Sequence, residues 1–137
     1  MSLFLAKEWI NAAKLDLANI KYIINDELLS PIVAFHSQQA TEKVLKALLI
    51  SKEISFKKVH SLEKLFMLGK NYISIDNYDV IDLLDSLYID SRYPGSFGLL
   101  PEGKPTLEDA REFYKFAQDI FNKVCTMLGI DPEEVKK

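Results

Sequence analysis

The chain is 137 residues long, 48% hydrophobic and 27% charged, a size and balance that fit one globular domain over residues 1–137 burying roughly two thirds of its unfolded surface. Five Gly and five Pro are too few for a many-stranded β-sandwich or a disordered tail, and no apolar run approaches the ~20 residues of a membrane span. The net charge of −3 argues against holding duplex DNA by its backbone. Cys125 is the single cysteine and excludes an internal disulfide. With no Cys/His zinc pattern and no secretory leader, a cytoplasmic location is the expectation. Charge is unevenly divided: residues 1–70 hold ten Lys against seven acids, and residues 71–137 hold seven Lys and Arg against thirteen.

Residues 3–25 read as a helix, because Ala6, Trp9, Ala13, Leu17, Ile20 and Ile24 recur at steps of three and four. Ser30-Pro31 predicts the next start, with Ser30 as cap and Pro in the first turn, and this helix runs to about Lys52. Val33, Ala40, Val44, Ala47 and Leu48 form its main face, widened by Phe35, Leu45 and Leu49, which suits a helix with several neighbours. Residues 53–59 connect to a short helix capped by Ser61 and stopped at Gly69. Residues 72–75 alternate weakly and read as a linker.

Asp76 opens a helix to about Ser91, with Val80, Leu83, Leu84 and Leu87 on its apolar face and Asp79, Asp82 and Asp85 on a solvated flank. Those acids recur every third residue, so each step turns the side chain by about 60° and they cannot converge on one metal. Pro94 to Pro105 is the one extended loop. The last long helix opens at Thr106-Leu107-Glu108-Asp109, carries Ala110, Phe113, Ala117, Ile120, Val124 and Met127 as its seam, and ends at Gly129. A short turn follows at Asp131 to Glu134. The sum is an all-α, up-and-down four-helix bundle with an additional short helix.

Asp16 falls on the inner side of the first helix, where a carboxylate needs a partner from a neighbouring helix. His36, Gln39, Lys43 and Lys46 line one edge of the second helix. They read either as a phosphate- and base-binding stripe or as a solvated flank with Glu42–Lys46 as an i,i+4 pair. His60 lies in a second basic cluster with Lys57, Lys58 and Lys64, as a site residue or a local backbone partner. Arg92 stands between Tyr88 and Tyr93 at a helix end. There it can fork onto a phosphate while a ring stacks on a base, or it can cap carbonyls and pair with Asp16 or Asp90. Cys125 reads as core, and no nucleophilic triad or phosphate-cradling Gly loop is present.

Taken in order, Trp9 with Ala13, Asp16-Leu17, the run Phe35 to Leu49 with its Gln38-Gln39-Ala40-x-Glu42-Lys43 core, His60-Ser61-Leu62-Glu63-Lys64-Leu65 and Ser91-Arg92-Tyr93-Pro94 resemble the HEPN domain family. The resemblance implies a dimeric helical bundle that works beside a minimal nucleotidyltransferase in toxin–antitoxin-like systems. Many members are metal-independent ribonucleases with an Arg followed, after roughly four to six residues, by a His. Arg92 matches that Arg, but Phe97, Gly98 and Leu99 stand where the His belongs, and no His follows His60. Without that imidazole the motif cannot supply its general acid or base, so the expectation is binding rather than catalysis, with no catalytic residue, cofactor or metal assigned. The expected ligand is a nucleotide or RNA phosphate, held by Arg92, Tyr93, Lys43, Gln39, His36 and Lys46, with Asp16 and His60 behind them. A divergent ribonuclease and a pure protein-interaction module are the alternatives.

Overall fold

The computed structural model describes residues 2–90 and 105–134. Its helices are α1 (Ser2–Ile23), α2 (Ser30–Ser51), α3 (Leu62–Leu68), α4 (Tyr78–Asp90) and α5 (Leu107–Leu128), with single 3₁₀ turns at Glu27–Leu29 and Pro132–Glu134. No strand occurs among the described residues, and 72–75 is irregular linker. The all-α bundle expected from the periodicity is therefore the architecture found.

α2 is the axis of the bundle. It packs against α1, α3, α4 and α5, and the breadth of its apolar face is the reason. Val33, Ala34, Ala40, Val44, Leu45, Ala47, Leu48 and Leu49 are all buried, so no side of the helix is left wholly to water. α1 runs antiparallel to α2 and to α5. The Arg111–Asn25 hydrogen bond (3.0 Å) joins the start of α5 to the chain just after α1. At the other end, Lys14 on α1 donates to the Pro132 carbonyl beyond α5.

Several helix ends follow from the sequence signals. Ser61 accepts from the Lys64 amide (3.3 Å), and Thr106 and Asp109 form a reciprocal capping box at α5. Gly129 takes the left-handed conformation (φ 72°). Its amide reaches the Thr126 carbonyl and that of Ile130 the Cys125 carbonyl, closing α5 in a Schellman arrangement that a side chain at Gly129 would strain.

Other ends correct the expectation. Ser30 is the first helical residue rather than the cap, and its buried hydroxyl donates to the Pro105 carbonyl, tying the start of α2 to that of α5. α4 begins at Tyr78, two residues later than expected, because Asn77 accepts from the Val80 amide (3.4 Å). α1 ends at Ile23, after which Asp26 caps the 3₁₀ turn through the Leu28 amide (3.0 Å). Among the apolar positions, Met127 is 37% exposed rather than in the seam. Trp9 is only half-buried, its ring edge-on to Phe56 with centroids 6.5 Å apart, and Ile10 takes the inner position beside it. Cys125 is in the core, where burial pushes its thiol pKa up to about 11.

The acidic flank of α4 is not uniform. Asp79 and Asp82 are exposed, but Asp85 accepts from the amides of Leu62 (2.8 Å) and Glu63 (3.2 Å) and from the Ser61 hydroxyl (3.1 Å). It thus satisfies donors at the N-terminus of α3 that have no intrahelical partner. The solvated-face reading fails at this residue, because α3 packs against α4 and brings its amino end to the carboxylate.

Candidate nucleotide-binding edge

Two carboxylates organise the polar groups of α2. Asp16, on α1 and almost fully buried, accepts from Lys43 Nζ at Oδ2 (2.9 Å) and pairs with His36 Nδ1 at Oδ1 (2.9 Å). The far ring nitrogen, His36 Nε2, lies 3.1 Å from Asn19 Nδ2. When the ring is neutral these contacts select one tautomer, in which Nδ1–H donates to the carboxylate and Nε2 accepts from the amide. His36 and Lys43 keep 22% and 27% of their side chains in solvent, so this cluster is an open edge of the α1–α2 seam.

The second carboxylate is Glu42. Lys46 donates to its Oε2 (2.8 Å), His60 Nδ1 pairs with the same oxygen (2.9 Å) and Gln38 donates to Oε1 (3.2 Å). Gln39 in turn donates to Gln38 Oε1 (2.7 Å). Glu42 and Lys46 are each only 8% exposed. Trp9 and Phe56 face the ammonium at 5.3 and 5.5 Å from their ring centroids, a distance at which aromatic quadrupoles favour a cation.

The single stripe read along α2 thus divides. His36 and Lys43 join Asp16, whereas Lys46 is turned inward with Glu42 and His60, and Gln39 bridges towards the second group. The expected i,i+4 pair of Glu42 and Lys46 is present, but it is not a solvated flank, since Trp9 and Phe56 cover it. Arg92 and Tyr93 lie outside the described residues. Asn19, Gln38 and Glu42 were not read as organising groups. Asn19 is one helical turn from Asp16, and Gln38 one turn from Glu42, so helical spacing was the available signal.

The chain matches the HEPN domain family over residues 6–128. It is also similar to the crystal structure of an archaeal HEPN homologue, with a TM-score of 0.65 and 30% sequence identity over 90% of this chain and 97% of that one. No curated protein matched. Both the sequence match and the shared helical arrangement span the α1–α2 seam and α5, and they place the chain in the HEPN domain family.

Proposed function

We propose that this HEPN domain binds a nucleotide or an RNA phosphate at the open edge of the α1–α2 seam. The observation that carries the reading is the shared use of Asp16 by Lys43 and His36, with both cationic or polar heads half-open to water. Lys43 has three donors and spends one on Asp16, leaving N–H groups for a phosphate oxygen. Gln39 stands one turn earlier on α2 as a neutral donor and acceptor. Arg92 and Tyr93 complete the set in this reading, supplying a guanidinium fork and a stacking ring. The domain acts as a homodimer beside a minimal nucleotidyltransferase, as the family resemblance implies, and its single cysteine suits a cytoplasmic location. Fluorescence anisotropy with a short single-stranded RNA tests the ligand. Binding should weaken with added salt and should fall in Lys43→Met and Arg92→Ala; affinity unchanged in both variants would remove this edge from the site.

One observation favours a second reading, RNA cleavage. Asp16 holds the Nδ1 side of His36, the arrangement that orients an imidazole so that Nε2 can take a proton. Asn19 occupies Nε2 but is itself exposed and free to swing aside. RNA incubated with pure protein in EDTA should then be cut, with His36→Ala and Asp16→Asn both inactive. Cleavage that survives both changes belongs to a contaminant.

A further inference from the structure

On the face of α1 that turns away from α2 lies a cleft of about 360 Å³ between α1 and α5, at the lower end of the size range of small-molecule sites. Lys14 and Lys21, two turns apart, stand on the α1 side, and Tyr114, Gln118 and Asn122, each one turn from the next, stand on the α5 side. Leu17 and Phe121 give it an apolar floor.

The two ends differ chemically. At one end Lys14 is engaged with the Pro132 carbonyl, and Glu133 adds a carboxylate. At the other, Lys21 has no hydrogen bond or ion pair among the described residues, and the antiparallel register places it near Tyr114. The Tyr114 phenol, its pKa raised by burial, accepts from Gln118 Nε2 (3.2 Å). That bond leaves the Tyr114 O–H, the Gln118 carbonyl and the Asn122 amide facing the cleft with hydrogen-bonding capacity unspent.

We propose that this cleft is a second ligand site, for a small organic phosphate with a flat hydrogen-bonding body, the mononucleotide class, separate from the edge at Asp16, His36 and Lys43. The phosphate sits at Lys21, away from the Glu133 carboxylate. The flat body lies over Phe121 and Leu17. The Gln118 and Asn122 carboxamides, each offering both a donor and an acceptor, meet its edge, and Lys14 and Glu133 close the far end.

The test is an amide-detected NMR titration of the full chain with AMP, UMP, adenosine and inorganic phosphate. A mononucleotide should move the Lys21 backbone signal and the Gln118 and Asn122 side-chain amides. Lys21→Met, at an exposed position, should weaken that binding about tenfold. Asn122→Leu should weaken it too, while His36→Ala should leave it unchanged. Shifts confined to Asn19, His36 and Lys43 would assign the ligand to the first site and overturn the second. So would equal binding of adenosine and AMP, full binding by Lys21→Met, no response at millimolar mononucleotide, or identical shifts with phosphate alone, which would mean an adventitious ion only.

Discussion

The Asp16 and Glu42 clusters are built from the same parts. Each carboxylate receives one lysine ammonium and one histidine Nδ1, at 2.9 Å for Asp16 and at 2.8 and 2.9 Å for Glu42. They differ in where water stands. Around Asp16 the carboxylate is buried and its partners are half-open. Around Glu42 the carboxylate and the ammonium are both buried, and the histidine, 57% exposed, forms the outer lid. An ammonium held between a carboxylate and two aromatic rings has neither room nor free charge for a ligand. The Lys43 ammonium, although paired with Asp16, keeps part of its surface in water. Identical side-chain types therefore take different roles because burial, not composition, sets how much of each charge is already compensated.

The largest test of this contrast is removal of each carboxylate. Glu42→Ala strands Lys46 in an apolar wall and should cost about 3 kcal/mol or more in urea unfolding. Asp16→Ala should cost less, about 1–2 kcal/mol, because Lys43 and His36 can turn to solvent. Equal losses would erase the distinction. Replacing Glu42 and Lys46 together by Met should recover much of the Glu42→Ala loss, since no lone charge then remains buried.

Asp85 supplies a graded comparison, being a carboxylate that meets helix amides rather than cations. Asp85→Ala should lose about 1–2 kcal/mol, the range of a strong cap. The result should be read together with Asp82→Ala, which should change nothing measurable, as Asp82 is exposed.

Cys125 tests burial where desolvation outweighs the opposing effects of the nearby Lys14 and Asp131 charges. Its thiol is raised from 9.0 to about 11 in the folded chain, with desolvation the main cause. The stability this protects is fully present below pH 9.0 and is lost as pH rises through about 11, because the unfolded thiol ionises first. The loss should approach about 2–3 kcal/mol, and Cys125→Ala should flatten that alkaline limb in melts taken across the range.

A small effect of opposite sign is expected at Ser37, whose buried hydroxyl finds no hydrogen-bond partner among the described residues. Ser37→Ala should be neutral or raise stability by up to about 1 kcal/mol, since an unsatisfied buried oxygen is removed at nearly constant volume.

The bundle was largely legible from the residues. Period-3.6 apolar positions, Ser61, Thr106 and Gly129 mark α2, α3 and α5 closely, because these are local signals between residues a few positions apart. Among residues that act through another helix, Asp16 was legible as a carboxylate needing a partner from a neighbouring helix, which Lys43 supplies, but others were not. Ser30 looks like a cap until Pro105 arrives beside it, and Asp85 looks solvated until the amino end of α3 lies against it.

The candidate site divides along the same line. Spacing along α2 put His36, Gln39, Lys43 and Lys46 on one edge, since 3.6-residue periodicity needs no tertiary information. The sequence by itself determined an all-α domain, its central helix and the polar residues available to it. Only the tertiary structure decided which cations are spent and which stay open. Trp9 and Phe56 close over Lys46, while Asp16 meets Lys43 and His36 at the rim of the α1–α2 seam, and the cost of desolvating a charge is set by neighbours that lie far away in the chain.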